Sequence, residues 1–143
     1  MKQRKTLMRA VGRARRAWDS LVRSVTLSEG IPDSYRPVLL YLLRHPGAGQ
    51  KNVAEFASIT NSAVNQAVKS MLAEGYLVKE TDPCDKRNTK LFLTEKGSAI
   101  ACRVFEKLDA ADDAITARLG AEREAELIET LECLAEYIRE DLA

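Results

Sequence analysis

Three residues, Ser58, Ile59 and Thr60, are all that separate two short amphipathic segments. The segment before them, about 51–57, has Val53, Ala54 and Phe56 as its inward face. The segment after them, about 61–74, has Val64, Val68, Met71 and Leu72 at helical spacing. Thr60 is a good N-cap for this second segment, and Gly75 ends it. Two helices joined by so short a turn indicate a helix-turn-helix. The residues beyond Gly75 narrow the choice further. Tyr76 to Glu80 and Lys90 to Thr94 are rich in strand formers, and the stretch 81–89 between them holds Pro83 and the charges Asp82, Asp85, Lys86 and Arg87. That pattern reads as a hairpin with a long polar tip. Helix, turn, helix and hairpin in this order make a winged helix.

Long helices flank this unit. Between about 4 and 27, Leu7, Val11, Ala14, Trp18, Leu21 and Val25 step by 4, 3, 4, 3 and 4, a heptad-like apolar stripe among arginines. Such a stripe suits either a helix packed on its own core or one that also pairs with a second chain. Glu29 to Pro32 break the pattern. Asp33 or Ser34 can then cap a helix with Pro37 in its first turn, buried through Leu39, Leu40, Leu42 and Leu43 and ended by His45, Pro46 and Gly47. After the hairpin, Thr94 caps a helix over about 95–119 with Ile100, Val104, Leu108, Ala111 and Ile115 inward. Gly120 stops it. A last helix, about 122–141, has the stripe Leu127, Leu131, Leu134 and Ile138. The expected class is mainly α with one small β-hairpin (α+β).

The 143 residues carry a formal net charge of only +1, which taken alone argues against a nucleic-acid partner. The balance hides a segregation. Residues 1–90 hold 16 Lys+Arg and 8 Asp+Glu, whereas residues 91–143 hold 6 and 13. Cys84, Cys102 and Cys133 match no zinc spacing, and so sparse a count suits a reducing compartment. Lys2, Arg4 and Lys5 lead into more arginines rather than an apolar run, so no signal peptide is read. The longest apolar run, Val38 to Leu43, is far short of a membrane span. The expected location is cytoplasmic.

Catalytic patterns are missing. The single histidine, His45, reads as a helix cap or a solvated side chain. Gly47 and Gly49 make only a weak phosphate cradle, and the carboxylates of the last 50 residues read as solvated helix faces. No nucleophile elbow, Walker A or H-E-x-x-H occurs. No enzyme, metal or cofactor is expected. Asn61, Ser62, Asn65, Gln66 and Lys69, in contrast, form one polar face of the 61–74 helix, since 61, 65 and 69 step by four, as do 62 and 66. Asn and Gln match the donor and acceptor pair of adenine in the major groove. Ser suits base or phosphate, and Lys suits guanine or phosphate. With Thr60 at the head of that helix, and Lys86, Arg87 and Lys90 on the hairpin to reach phosphates or a minor groove, the expected partner is double-stranded DNA. Asp85 is placed to orient the Arg87 guanidinium by a bidentate pair. Cys84 on the same tip is either an oxidisable thiol or an ordinary surface one.

The run from Val53 to Gly97 resembles the MarR family of bacterial transcription regulators. The resemblance rests on Leu72-x-x-Gly75 ending the recognition helix, the wing Asp82-Pro83-Cys84-Asp85-Lys86-Arg87, and Leu93-Thr94-Glu95-Lys96-Gly97 beyond it. It implies a homodimer on a palindromic operator, most often as a repressor, with the 61–74 helix in the major groove and the 81–89 wing on minor groove or phosphates. Residues 1–143 would then form one domain, in which 1–30 and 100–143 are the helical dimerisation region and 33–97 the winged helix. Asp85 and Arg87 match the family's D-x-R wing pattern, and Ser62, Asn65 and Gln66 fall where its helix meets bases. Members of the family often bind a small phenolic ligand. Trp18, Tyr35 and Arg36 are the candidates to line such a site, although Asp33-Ser34-Tyr35-Arg36-Pro37 lacks the Thr and Gln common in relatives. The alternative is a winged-helix protein-interaction module without DNA binding.

Overall fold

A chain that must turn between two helices within three residues leaves one of them in the left-handed region, and Ser58 takes it, at φ 53° and ψ 42°. The computed structural model describes residues 6–142; the expected helix start at 4, and Lys2, Arg4 and Lys5, lie outside the described residues. The elements are α1 (Leu7–Ser28), a 3-10 turn (Asp33–Tyr35), α2 (Arg36–Arg44), α3 (Gln50–Ala57), α4 (Asn61–Ala73), β1 (Leu77–Thr81), β2 (Thr89–Leu93), α5 (Glu95–Leu119) and α6 (Ala121–Leu142). The mainly helical chain with one hairpin is a winged helix-turn-helix, as expected, with the element ends shifted by a residue or two. The chain divides into two units, the first ending at Lys107 and the second starting at Leu108.

The first unit holds the core. Val38, Leu39 and Leu42 of α2, Val53 of α3, Val64, Val68 and Met71 of α4, and Leu77 and Leu91 of the hairpin are all at most 2% exposed. Each such side chain contributes roughly 1.5–3 kcal/mol through burial. Phe56, expected inward, is instead 62% exposed. It lies two residues beyond the buried Ala54, roughly 200° around a helix of 3.6 residues per turn, and it rests against Tyr41 with ring centroids 5.0 Å apart. The second helix also starts differently. Neither Asp33 nor Ser34 caps α2; Tyr35 is its N-cap residue, without a side-chain cap bond, because Asp33 has already opened the 3-10 turn.

On α1 the buried residues are Val22 and Thr26, one position off the expected stripe. Leu7 and Trp18 of that stripe stay exposed, and Val11, Leu21 and Val25 are half-buried. Thr26 satisfies its buried hydroxyl by donating to the Val22 carbonyl at 2.9 Å. The end of α1 is tied to α5 through Glu29, whose carboxylate accepts from Arg103 Nε at 2.8 Å and from Lys107 Nζ at 2.6 Å. These two partners, Arg103 foremost, hold the Glu29 carboxyl below its usual 4.5.

β1 and β2 pair antiparallel, with Leu77 opposite Leu93 and Thr81 opposite Thr89. The outer edge of β2 is also paired. Gly47 N–H donates to the Leu91 carbonyl at 2.8 Å, and Leu91 N–H donates to that of Ala48 at 3.0 Å. The Gly47-Ala48-Gly49 run therefore serves as a short third edge of the wing.

Where α4, the hairpin and α5 meet, the backbone is crowded. Gly75, at φ +78°, ends α4, and Tyr76 N–H reaches back to the Met71 carbonyl at 2.9 Å, a Schellman closure. Thr94 Oγ1 donates to the Gly75 carbonyl at 2.6 Å and accepts from Gly97 N–H at 3.1 Å. Lys96 Nζ donates to the Glu74 carbonyl at 2.9 Å and lies 4.2 Å over the Tyr76 ring. A Cβ on Gly97 would stand 2.1 Å from the Tyr76 carbonyl oxygen.

The second unit is the end of α5 and the whole of α6. Thr116 Oγ1 bonds the Glu124 carboxylate within it. No residue of α6 is buried, and Leu127, Ile128, Leu131, Tyr137 and Ile138 are 39–63% exposed.

These contacts set two expected outcomes. Gly97→Ala must push two backbone segments apart, and the urea midpoint should fall by the equivalent of about 1–3 kcal/mol or more, with an unchanged m-value. For Glu29, a folded-state pKa below the unfolded value means stability that is present above about 4.5 and lost as pH falls through the folded value. Glu29→Gln should therefore flatten the acid limb of stability against pH below 4.5 and lower stability near neutrality. An acid limb identical to that of the unaltered chain would refute the assignment.

Candidate nucleic-acid interface

The helix α4 divides its residues cleanly between two environments. Val64, Ala67, Val68 and Met71 are buried, while Asn61, Ser62, Asn65, Gln66 and Lys69 are exposed. The buried set repeats at 3 and 4, so the amide and hydroxyl side chains project on the side away from the core. Thr60 caps the helix, its Oγ1 accepting from Ala63 N–H at 3.1 Å. Its hydroxyl hydrogen remains available to a phosphate. A rigid helix holding donors and acceptors in fixed register suits reading of base edges, which needs placement within a fraction of an ångström.

The wing tip is shaped by two aspartates. Asp82 Oδ1 accepts from Cys84 N–H at 2.8 Å, and Asp85 Oδ1 accepts from Arg87 N–H at 3.0 Å. Both are side-chain-to-backbone turns. Asp85 thus orients Arg87 through its backbone. Among the described residues it makes no ion pair with the guanidinium, so the expected bidentate pair is replaced by an Asx turn. Asn88 N–H closes the loop onto the Asp85 carbonyl at 2.9 Å. Lys86, Arg87 and Lys90 are all exposed, with Lys90 opposite Glu80 on the ladder. Cys84 on this tip is an exposed free thiol.

A cleft of about 410 Å³ lies between the wing and the start of α3, lined by Gly47 to Asn52 and by Arg87, Asn88 and Thr89. It brings Gln50 and Lys51 beside Arg87, residues that sequence reading passes over. Their signal is a lysine in the first turn of the first helix of the motif. That signal has no meaning until the fold shows the wing folding back on that turn.

The three residues considered for a small ligand are placed differently from one another. Trp18 is 37% exposed on α1. Arg36 Nε bonds Asp33 at 3.2 Å. Tyr35 is 3% exposed, and its hydroxyl donates to Glu74 Oε1 at 2.5 Å. Burial, followed by the Glu74 carboxylate, pushes the Tyr35 phenol above its ordinary 10.0. His45 ends α2 and stacks on Tyr41 with centroids 4.6 Å apart. Among the described residues there is no cluster of three His, Cys, Asp or Glu side chains able to hold a metal. No helix of the described chain is long and apolar enough to cross a membrane.

An exposed amide-rich helix, second in a helix-turn-helix and followed by a basic wing, defines the class of winged-helix DNA-binding regulators. Comparison with known proteins gives the family. The model of the MarR family matches residues 29–88. The repressor Rv2887 of Mycobacterium tuberculosis is 30% identical over 96 residues, 67% of this chain and 69% of that protein. A protein of Thauera aromatica, described as a transcriptional regulatory protein for the hcr operon, is 25% identical over 118 residues, 82% of this chain and 71% of that protein. The chain belongs to the MarR family and is a transcription regulator. In solved structures, Rv2887 in complex with salicylic acid superposes with a TM-score of 0.69 at 25% identity, covering 94% of this chain and 98% of that one. The repressor CouR bound to a 23-mer DNA duplex superposes with a TM-score of 0.78 at 24% identity, covering 91% and 92%.

Proposed function

We propose that this regulator is a homodimeric repressor that reads a palindromic operator in double-stranded DNA. The observation that carries the reading is the split of α4, with Asn61, Ser62, Asn65, Gln66 and Lys69 exposed on a helix whose opposite face buries Val64, Ala67, Val68 and Met71. In this reading α4 enters the major groove, with Thr60, Ser62, Asn65 and Gln66 at bases and adjoining phosphates. Lys86, Arg87 and Lys90 meet the backbone or the minor groove, and Asp85 keeps the tip in shape. Lys51 and Gln50, beside Arg87 in the cleft, add a further backbone contact. Phosphate contacts supply most of the affinity, and the helix supplies the preference. The same architecture in CouR, solved on a DNA duplex, supports it.

Two-fold symmetry of the operator requires two-fold symmetry of the protein. Residues 1–30 and 100–143 are the proposed assembly region. Support comes from the apolar stripe of α6, none of which is buried, and from the stripe of α1, exposed at Leu7 and Trp18. The arginine-rich first helix and the acidic last helix are suited to pair across that interface. By analogy with Rv2887, solved with salicylic acid, a small aromatic acid is the proposed effector, with Trp18, Tyr35 and Arg36 as its candidate contacts. Because the Tyr35 phenol is already engaged by Glu74, binding there would require that bond to open.

Binding to duplexes selected from a randomised library tests the DNA reading. Arg87→Ala should weaken binding to the selected duplex and to random DNA alike. Gln66→Ala should mainly reduce discrimination, by about 1–3 kcal/mol at one base position. Affinity should fall steeply with salt for the unaltered chain. A flat salt response, or equal losses on both duplexes for both variants, would sink this division of roles. Addition of salicylate to the same assay should release the DNA. Sedimentation at micromolar concentration should show a dimer. A monomer at that concentration would overturn the symmetric reading.

A further inference from the structure

We infer that Tyr35 and Glu74 are positioning residues that set the tilt of α4 and thereby its preference for one base sequence. The inference rests on the DNA reading above and goes beyond it, because neither side chain is placed on DNA. Glu74, the C-cap residue of α4, is held at two atoms from two different parts of the chain. Tyr35, in the turn ahead of α2, donates its phenolic proton to the carboxylate Oε1 at 2.5 Å. Lys96, at the start of α5, donates to the backbone carbonyl of the same residue at 2.9 Å. Tyr76, two residues on, is packed edge-on by Tyr35 with ring centroids 5.9 Å apart and covered by Lys96. The end of the helix is therefore held by two elements, the turn ahead of α2 and the start of α5. Its start is held by the Thr60 cap, the three-residue turn and the buried side chain of Val64.

The geometry makes this grip a lever. Glu74 lies nine residues beyond Asn65, roughly 13 Å along the axis. A tilt of roughly 5° at the gripped end moves the reading amides by roughly 1 Å. Bidentate hydrogen bonds to base edges do not survive such a displacement. Contacts from long, flexible Lys and Arg side chains to phosphates do. Loss of the Tyr35–Glu74 bond should thus erode discrimination and leave general DNA affinity alone. A residue that matters only for folding would change neither at temperatures well below unfolding.

The test measures the full-length protein on the duplex selected from a randomised library and on random duplex, with Tyr35→Phe, Glu74→Ala, Glu74→Gln and the Tyr35→Phe/Glu74→Ala pair. Tyr35→Phe keeps the ring in the core and removes only the donor. Glu74→Ala, at an exposed position, leaves the core untouched. Each should lower affinity for the selected duplex about five- to tenfold, the scale of one ordinary hydrogen bond, with affinity for random duplex and the salt slope unchanged. Glu74→Gln retains an acceptor and should stay within about twofold of the unaltered protein. The pair should be no worse than either single change. Unchanged discrimination in Tyr35→Phe, equal losses on both duplexes, or losses that multiply in the pair would overturn the inference while leaving the DNA reading in place. An unaltered protein with no preference for any selected duplex would overturn the DNA reading, and the inference with it.

Discussion

One van der Waals constraint organises the winged helix, the approach of Gly97 to the Tyr76 carbonyl. The end of α4, the start of β1 and the start of α5 converge there so closely that no side chain fits at position 97. Once the backbones are that near, their free polar groups find one another. Thr94 bridges the two helix ends through a single hydroxyl that both donates and accepts, and Lys96 closes an orphan carbonyl at the end of α4. The Leu72-x-x-Gly75 and Leu93-Thr94-Glu95-Lys96-Gly97 segments, separate in sequence, are thus the two halves of one joint.

That joint explains how so small a unit can present a helix for reading. With its C-terminal end gripped, α4 needs only one face for anchorage, and Val64, Ala67, Val68 and Met71 supply it. The remaining face carries no structural duty and is free to hold amides and hydroxyls. Wing and helix are also linked. The outer edge of β2 pairs with Gly47 and Ala48, immediately before α3, so the base of the wing is hydrogen-bonded to the segment that leads into the helix-turn-helix. Glu29 extends the same logic to α1, tying its end to Arg103 and Lys107 of α5.

The helix-turn-helix, its cap at Thr60 and the hairpin are legible in the sequence because each rests on local rules of periodicity, capping and turn chemistry. The polar face of α4 is legible for the same reason. Three features are not. Charge alone pairs Asp85 with the Arg87 guanidinium, yet the carboxylate binds the backbone N–H, since an Asx turn two residues away is closer to hand than a flexible side chain. Phe56 counts as apolar in any pattern, but its angle on α3 turns it outward. Tyr35 reads as a ligand contact, and only the meeting of residues 39 positions apart shows its hydroxyl on Glu74. A long-range partner leaves no trace in local sequence.

The same limit of local rules governs the flanking helices. A stripe stepping by 4, 3, 4 and 3 fixes which residues of a helix are apolar but not what covers them. On α1 the chain's own core takes Val22 and Thr26 and leaves most of the stripe outside. On α6 it takes nothing. An isolated helix of this kind is marginal in water, where helical stability comes mainly from packing of an apolar face. A stripe from Leu127 to Ile138 with no buried residue leaves such packing still to be supplied. On the dimer reading a second copy supplies it. On that reading the segregation of charge has a physical sense, with the basic residues of the winged helix meeting phosphates and the arginine-rich first helix facing the acidic last one.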